Sequence, residues 1–189
     1  NFDPSVAGVG THTITYTYTS GGCTRTCTFT ITVTAPVTPT CPANQTVCST
    51  DAPFALSGAS PSGGAYSGIG VSSGNFDPSV AGAGTHTITY TYTSGGCTRT
   101  CTFTITVNDP VTPVCPANLT VCSTDAAFAL SGATPTGGTY SGAGVSSGNF
   151  NPSVAGVGTH TITYTYTSGG CTTTCTFTIT VTAPVTPTC

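Results

Sequence analysis

Cysteine is the residue type of this chain whose spacing could do chemistry. Eleven cysteines occur in 189 residues, and they recur in sets of four. In chain order they are Cys23, Cys27, Cys41, Cys48, Cys97, Cys101, Cys115, Cys122, Cys171, Cys175 and Cys189. Four cysteines per small module, without a cluster of histidines, are typical of a disulfide framework formed in an oxidising compartment. A zinc site is the alternative, but the four-residue spacing on a strand does not fit a zinc knuckle.

Strand geometry limits how these cysteines can pair. Cys97 and Cys101 would lie about 13 Å apart on one face of a strand, whereas a disulfide needs Cα atoms within about 7 Å. Each must therefore bond to another segment, with Cys41 and Cys48 as candidates. Two pairings within a module stay open, 48–97 with 41–101 or 41–97 with 48–101. A bond that crosses the junction between modules, such as Cys27 with Cys41, also stays open.

The other reactive side chains are too isolated to indicate a catalytic site. His12, His86 and His160 occur once per repeat on the inner face of a predicted hairpin. No carboxylate or second histidine accompanies them in the pattern, so we expect each to pack near a strand end. Asp77 lies in a turn and becomes Asn151 in the next copy. The sequence predicts a protein that is not an enzyme and that has no cofactor and no metal site.

Charge is nearly absent from this chain. It has two Lys or Arg residues, five Asp or Glu residues and a formal net charge of −3. No basic patch is available to neutralise phosphates, so nucleic acid is not an expected partner. No apolar run approaches the ~20 residues that cross a bilayer, so we expect no membrane insertion in this segment. Because it has neither an initiator Met nor a signal peptide, we interpret the sequence as an interior piece of a longer secreted chain.

Long β-hairpins are the elements that must position the cysteines. Residues 85–107 alternate apolar side chains with threonine, which is the period of two of a half-buried strand. Ser94, Gly95 and Gly96 interrupt the alternation and suit a tight hairpin loop. We therefore predict a hairpin with an apolar inner face and a threonine outer face. The same pattern recurs at residues 11–33 and 159–181.

The whole sequence repeats with a period of 74 residues, because the Asn1 segment returns at Asn75 and Asn149. Short strands, frequent turns and no helical periodicity predict an all-β fold of tandem immunoglobulin-like β-sandwich modules. The predicted domains are the C-terminal half of a module at 1–35, complete modules at 36–109 and 110–183, and the start of another at 184–189. Two prolines in each junction predict short, semi-rigid linkers, so we expect the modules to be arranged end to end.

A resemblance to a known class of repeats is carried by four segments, CPANQTVCSTDAPFALSG, AYSG, NFDPSVAGAGTHTITYTYT and GCTRTCTFTITV. Together they resemble the immunoglobulin-like and hyalin-type (HYR-like, PKD-like) repeats of giant cell-surface adhesins of Bacteroidota, many of which use type IX secretion. The resemblance covers the whole chain. For the cysteines it implies the pairs 48–97 and 41–101, and by the period 122–171 and 115–175.

For function, the resemblance implies an extracellular, cell-surface-attached structural or adhesive filament or stalk on a bacterium, with a role in adhesion or gliding motility. The partners it implies are neighbouring modules of the same chain, other copies of the filament, and cell-surface or environmental glycans. Such repeats act mainly as spacers or fibre shafts, so their resemblance does not specify a ligand.

The outer threonines leave several interpretations open. Threonine has high β propensity and keeps an uncharged face wet, it can carry O-linked sugar, and a low-charge strand edge can associate into a fibre. Asn44 and Asn118 each begin an Asn-X-Thr sequon and are candidate glycosylation sites. The alternative function is a ligand-binding adhesin module that recognises glycans, or ice, through this threonine face. The twist of a two-stranded ribbon disfavours the ice hypothesis, because ice requires a flat face.

Overall fold

The computed structural model describes residues 1–185, in which β-strands form almost all of the regular structure. The strands are β1 (Gly10–Ser20), β2 (Cys23–Val33), β3 (Gln45–Cys48), β4 (Phe54–Ala55), β5 (Ala65–Ser67), β6 (Val71–Ser72), β7 (Asn75–Phe76), β8 (Gly84–Ser94), β9 (Cys97–Asn108), β10 (Leu119–Cys122), β11 (Phe128–Ala129), β12 (Thr139–Ser141), β13 (Val145–Ser146), β14 (Asn149–Phe150), β15 (Gly158–Ser168) and β16 (Cys171–Thr182). The one-turn helices are α1 (Pro4–Ala7), α2 (Pro78–Ala81) and α3 (Pro152–Ala155). The predicted all-β fold class is confirmed.

The chain divides into two compact units, each built from several segments. The first unit comprises Asn1–Asn44, Phe54–Phe76 and His86–Thr104. The second unit comprises Gln45–Pro53, Asp77–Thr85 and Ile105–Cys189. Neither unit coincides with one predicted module, and the module boundaries at 35/36, 109/110 and 183/184 stay predictions. Most of the predicted fourth segment, 184–189, lies outside the described residues.

The three predicted hairpins are present, and each closes through a two-residue loop. In the third copy β15 pairs antiparallel with β16, from Gly158 opposite Val181 to Ser168 opposite Cys171. The loop residues Gly169 and Gly170 both have positive φ, 57° and 83°, which the favoured hairpin turns require and glycine adopts without steric cost. Strands β1 and β2 have the equivalent register, and β8 and β9 are neighbours in their sheet.

The second unit contains a β-sandwich with the strand order of an immunoglobulin-like module. One sheet has the order β10-β16-β15-β12 and the other the order β11-β14-β13. Strand β10 runs parallel to β16, while the other pairs are antiparallel. The last two strands of the module thus form the centre of one sheet, and the second, fourth and fifth strands form the other. Strands β3 to β9 repeat both orders, as β3-β9-β8-β5 and β4-β7-β6.

Apolar side chains from both sheets of this sandwich form its core. The buried members are Phe150, Ile162, Phe177, Ile179 and Val181, and the partly buried residues packed against them are Cys115, Val121, Phe128, Leu130, Tyr140, Val145 and Ala155. They occupy the inward positions of the alternating pattern, which places the threonines on the outer face. Burial of this apolar face is the main source of stability in such a small sandwich.

In the first unit, hairpin β1–β2 forms a two-stranded sheet of its own. Its inward-type side chains Tyr16 and Phe29 are 59% and 53% exposed, whereas their counterparts Tyr90 and Phe103 are 2% and 4% exposed. The same alternation therefore folds into the same hairpin whether or not its apolar face is covered. Local pattern and turn chemistry are sufficient for the hairpin itself.

Each long hairpin follows a one-turn helix with an Asx N-cap. Asp77 Oδ1 accepts hydrogen bonds from the backbone N of Ser79 at 3.0 Å and from its Oγ at 2.6 Å. In the third copy Asn151 Oδ1 makes the same bonds to Ser153, at 3.1 and 2.7 Å. The hydroxyl of Ser79, followed by backbone N–H groups, lowers the pKa of Asp77. The turn in which the sequence places Asp77 is therefore one turn of α-helix, Pro78–Ala81.

Candidate functional site

Two disulfides connect the segment before a module's first strand to the middle of its last strand. Cys41 is bonded to Cys101 with a Cα–Cα distance of 5.7 Å, and Cys115 is bonded to Cys175 at 5.8 Å. Each bond joins residues 60 positions apart and lies inside one compact unit. These are the pairs that the resemblance implied, so that part of the expected framework is confirmed.

The third disulfide joins Cys48 to Cys171, two residues 123 positions apart. Their Cα atoms lie 5.0 Å apart, and both side chains are buried, at 2% and 3% exposure. The pairs 48–97 and 122–171 implied by the resemblance are therefore wrong. The alternative 41–97 with 48–101 is wrong as well, because Cys41 and Cys48 each have another partner. A bond that crosses a predicted module junction does exist, but between different cysteines from those considered.

The parallel pairing of first and last strands is the physical reason for this correction. Cys122 lies opposite Thr182 at the end of β16, whereas Cys171 is the first residue of that strand. The eleven residue steps from Cys171 to Thr182 span about 36 Å of extended chain, far beyond the ~7 Å limit for a disulfide. Cys48 lies opposite Asn108 in the equivalent register. Cys171 therefore cannot reach Cys122 within its own module, and by the equivalent register Cys97 cannot reach Cys48.

A docked hairpin tip brings Cys171 to Cys48. We use "hairpin tip" for the four residues Ser168–Cys171 and their counterparts Ser20–Cys23 and Ser94–Cys97. The side-chain amide of Asn108 donates a hydrogen bond of 2.8 Å to the carbonyl of Gly169, and Thr173 Oγ1 donates one of 2.6 Å to the carbonyl of Val111. We call this arrangement the tip contact; on the receiving side it comprises Thr46, Cys48, Asn108 and Val111.

Glycine is required at the centre of the tip contact. A Cβ on Gly169 would lie 2.7 Å from Nδ2 of Asn108, closer than real Cβ atoms approach. A Cβ on Gly170 would lie 3.6 Å from the carbonyl oxygen of Thr46, which is ordinary contact. Because Gly169 also has positive φ, a larger residue there would strain the backbone and displace the amide. The Gly-Gly pair thus serves both the turn and the docking.

The position of Cys48 is fixed by hydrogen bonds with the turn that follows it and with the neighbouring strand. The backbone N of Cys48 donates to Asp51 Oδ2 at 2.8 Å, and Thr50 Oγ1 donates to the sulfur at 3.3 Å. The next residue, Ser49, donates its backbone N–H to the carbonyl of Asn108 at 2.8 Å. These bonds fix the cysteine beside the end of the last strand, where the incoming hairpin tip arrives.

A second tip contact occurs in the first unit. Thr34 Oγ1 donates a hydrogen bond of 2.8 Å to the carbonyl of Gly95, just as Asn108 does to Gly169. The thiol of the half-buried Cys97 lies 3.9 Å from the carbonyl of Thr34. The repeat would place its disulfide partner 74 residues before Cys48, at a position this sequence does not contain. Docking of a hairpin tip therefore does not require the disulfide.

Four cysteines of the described residues have free thiols. They are Cys23 and Cys27, which are exposed, and Cys97 and Cys122, which are half-buried. Cys189 lies outside the described residues. The hydroxyl and backbone of Thr124 donate hydrogen bonds to the sulfur of Cys122 and lower the pKa of its thiol. A thiol with a lowered pKa supplies more thiolate, the form that reacts with disulfides.

The two candidate glycosylation residues have a structural contact that sequence reasoning missed. Asn44 Oδ1 accepts a hydrogen bond of 2.9 Å from the backbone N of Thr104, and Asn118 Oδ1 accepts one of 2.9 Å from Thr178. Each side chain extends the parallel pairing of the first strand by one bond, in place of a backbone carbonyl. Only their position at the start of a strand could have signalled this. Glycosylation of either residue stays a prediction.

The histidines pack at strand ends, as expected. His12 Nε2 lies 2.9 Å from the carbonyl oxygen of Gly8, and His160 Nε2 lies 2.8 Å from that of Gly156. The ring of His160 also packs on Phe150, with centroids 6.3 Å apart. In residues 1–185 no group of three His, Cys, Asp or Glu side chains is placed to hold a metal ion.

The outer threonines pair across the strands at both ends of every hairpin. Their Oγ1 atoms lie 2.9 to 3.1 Å apart in all six pairs. The pairs are Thr11 with Thr32, Thr19 with Thr24, Thr85 with Thr106, Thr93 with Thr98, Thr159 with Thr180, and Thr167 with Thr172. Such cross-strand pairs are a recognised contribution to sheet stability.

No protein-family model matches the chain, and neither does any curated protein. Among solved structures, the chain is similar to the endo-fucoidan hydrolase MfFcnA4 from glycoside hydrolase family 107, with 14% identity and a TM-score of 0.27. The match covers 95% of this chain and 35% of the hydrolase chain, so the chain spans about a third of that protein's length. At this TM-score the similarity supports no conclusion about fold or activity. Separately, no helix within residues 1–185 is both long and apolar enough to cross a membrane.

Proposed function

We propose that this chain is part of an extracellular structural filament or stalk, built of tandem disulfide-stapled immunoglobulin-like repeats and attached to a bacterial surface for adhesion or gliding. It is not an enzyme in this proposal, and its partners are other modules of the same kind. The observation that carries the proposal is the Cys48–Cys171 bond, which connects the sequence on either side of the junction near Asp109 and Pro110.

This bond gives the chain a second covalent route past the junction. One route follows the backbone from Cys101 to Cys115, between the two disulfides that close the modules. The other passes directly from Cys48 to Cys171. A tensile load across this junction is therefore shared between two covalent connections. Shared tension is useful to a filament and has no evident use in a catalytic or small-ligand site.

The Cys48–Cys171 bond also adds to stability when the other two bonds are present. The loop that it closes then runs through both intramodule disulfides and contains about 25 residues, which is worth roughly 3.5 kcal/mol in the chain-entropy model. Three disulfides within the described residues 1–185 fit an oxidising, extracellular setting. Attachment to a cell surface is supported by the resemblance of these repeats to those of cell-surface adhesins.

Pulling on single chains held by their two ends tests the structural function. The shortest covalent route from residue 1 to residue 189 passes through Cys48–Cys171 and leaves about 65 extensible steps, or roughly 220 Å at ~3.4 Å per residue. After reduction, all 188 steps extend to about 640 Å. We expect the oxidised chain to stop extending near the shorter length and the reduced chain to reach the longer one. Full extension without reductant would overturn the proposed function.

A further inference from the structure

We propose that the middle and third copies of the repeat each carry a pocket that binds one neutral pyranose ring of a glycan. The inference rests on the proposed adhesive role and names a ligand class and a site, which is separate from the outer threonine face. We call this site the tyrosine pocket. In the third copy it has a volume of about 230 Å³, and six of its lining residues are Leu130, Ser131, Ala133, Thr136, Tyr140 and Tyr164. In the middle copy it has a volume of about 240 Å³, and the counterparts are Leu56, Ser57, Ala59, Ser62, Tyr66 and Tyr90.

The tyrosine pocket belongs to the repeat itself. In each copy it is lined by one short segment and one tyrosine of the long hairpin, and all of these residues lie within one compact unit. The middle copy has described chain on both sides, and its pocket has nearly the same volume as that of the third copy. The lining differs at one position, Ser62 against Thr136, and both residues carry a hydroxyl. The two copies therefore present the same groups to a ligand.

Hydrogen bonds of Tyr164 hold the wall of the pocket in place. Its hydroxyl donates to the carbonyl of Pro135 at 2.6 Å and accepts from the backbone N of Gly138 at 2.7 Å. A Cβ on Gly138 would lie 2.5 Å from Cζ of Tyr164, so this loop packs directly on the ring. Tyr90 makes the same two bonds in the middle copy. The pocket is thus formed before a ligand arrives, which lowers the entropy cost of binding.

The floor of the pocket is apolar, and its rim carries hydroxyl groups. Ala133 and Tyr164 are buried, at 4% and 2% exposure, and Tyr140 beside them is half-buried. Ser131 and Thr136 are exposed at the rim. A pyranose ring has C–H groups on its faces and hydroxyls around its edge, so it matches both surfaces. Ligand pockets commonly combine an apolar or aromatic lining with a few polar groups in this way.

Three hydroxyls of the third-copy pocket are available to a ligand. Within residues 1–185 the hydroxyls of Ser131 and Thr136 make no hydrogen bond. The hydroxyl of Tyr140 accepts from the backbone N of Ala133 at 3.2 Å, and in the same part of the chain its proton has no acceptor. The threonines at the ends of the hairpins are instead paired with one another, as Thr159 is with Thr180. The pocket therefore offers donors and acceptors that no protein group already uses.

Charge and size narrow the class of ligand. No lining residue of either pocket is charged, and a charged ligand held there would lose water without gaining an ionic partner. Both volumes are below the ~300–1,000 Å³ typical of pockets for drug-sized ligands, so one ring fits and an extended ligand does not. We expect weak binding by a single pocket, with a Kd on the order of 1 mM. Repetition of the pocket along the chain would raise the avidity for a surface that displays many sugars.

A nuclear magnetic resonance titration of the full oxidised chain tests the site. The probes are the methyl glycosides of glucose, galactose, mannose and fucose, and at least one should shift the backbone amide signals of both pockets. Thr136→Val should raise the Kd read at the third-copy pocket about fivefold, through loss of one neutral hydrogen bond. It should leave the Kd read at the middle-copy pocket unchanged, and Ser62→Ala should have the converse effect.

The matched control is Thr139→Ala. Thr139 is exposed and adjacent to Tyr140 but does not line the pocket, and the middle copy already has Ala65 at this position. This variant should leave both Kd values unchanged. The methyl glycoside of glucuronic acid should bind more weakly than that of glucose, because its carboxylate finds no cation in the pocket.

Three outcomes would overturn the inference. One is the absence of shifts at both pockets with all four neutral glycosides, at concentrations well above the expected Kd. Another is a set of shifts confined to the outer threonines. The third is an unchanged Kd at the altered pocket in both Thr136→Val and Ser62→Ala. Each of these leaves the proposed structural function intact, since that function is judged by the extension limit under force. A chain that binds sugar at both pockets yet extends fully without reductant would support the pocket and remove the filament.

Discussion

The side-chain amide of Asn108 donates a hydrogen bond of 2.8 Å to the backbone carbonyl of Gly169, 61 residues further along the chain. This bond is made at the hairpin tip that presents Cys171 to Cys48, so we expect it to favour the disulfide. In Asn108→Ala the equilibrium constant for forming Cys48–Cys171 in glutathione buffers should fall about fivefold, since such a bond contributes about 1 kcal/mol. Asn108→Thr should restore most of it, because Thr34 docks Gly95 in the same way. An unchanged constant in the alanine variant would contradict this role.

Cleavage of the junction should leave the molecule in one covalent piece. With a protease site inserted between Asp109 and Pro110, the oxidised chain should run as one species on non-reducing denaturing gels after cleavage, because Cys48–Cys171 spans the cut. The same cleavage in Cys48→Ser should release two fragments, since the other two disulfides lie wholly on one side or the other. Separation of the fragments in the unsubstituted chain would show that the bond does not form in solution.

The buried hydroxyl of Tyr164 should contribute more to the free energy of unfolding than the hydroxyl of its exposed counterpart in the first copy. It donates to the carbonyl of Pro135 at 2.6 Å and accepts from the backbone N of Gly138 at 2.7 Å, with the ring 2% exposed. Tyr164→Phe leaves both backbone groups without this partner, at an expected cost of about 1–3 kcal/mol in the free energy of unfolding. Tyr16→Phe, in the exposed counterpart of Tyr164 from the first copy, should change it by less than about 0.5 kcal/mol. Denaturant unfolding of the two variants compares them, and equal effects would contradict the prediction.

The N-cap of α2 should make stability depend on acid pH. Because hydrogen bonds from Ser79 lower the pKa of Asp77 in the folded chain, its contribution is present above the unfolded pKa near 3.9. It is lost as the pH falls through the folded value. The stability difference between wild type and Asp77→Asn should therefore shrink between pH 5 and pH 2.

The matched control for this cap is Asn151→Asp, because Asn151 caps α3 with the same bonds to Ser153. This variant should gain a pH dependence of the same sign, again measured by thermal unfolding at pH 5 and pH 2. A difference between Asp77→Asn and wild type that is the same at both pH values would show that the Asp77 carboxylate does not stabilise the turn.

Replacement of outer threonines should leave a structural protein intact. Thr13, Thr15 and Thr87 are exposed on the outer face, and a change to valine there should alter the free energy of unfolding by less than about 0.5 kcal/mol each. The three disulfides and the extension limit under force should also be unchanged. Glycan-array binding is the decisive measurement: if the wild type bound a glycan and the triple variant did not, the threonine face would be a ligand site.

The hairpins could be predicted from sequence because everything that forms them is local. The alternation around Ile88 and Tyr90 fixes which face is buried, and Gly95 with Gly96 fixes the loop. The pairing Cys41–Cys101 is reachable by resemblance because both cysteines belong to one repeat. None of these inferences requires knowledge of how two distant segments align.

The Cys48–Cys171 bond could not be predicted because a periodic sequence fixes positions only up to a multiple of its period. Cys97 and Cys171 have the same place in successive repeats, so the pattern alone cannot tell which of them meets Cys48. The decision is made by the parallel register of β3 on β9, which puts Cys48 opposite Asn108. The side chain of Asn44 extends this register by accepting a hydrogen bond from the backbone N of Thr104. The period of the sequence gives no sign of this contact.

The cross-strand threonine pairs have a consequence for the solvents in which such a chain can work. An ion pair between strands weakens as dissolved salt screens it, and it disappears when one partner changes protonation. Two hydroxyl groups, such as those of Thr85 and Thr106 at 3.1 Å, carry no charge to screen and do not titrate. Sheets edged in this way should hold their alignment equally well in fresh water and in brine.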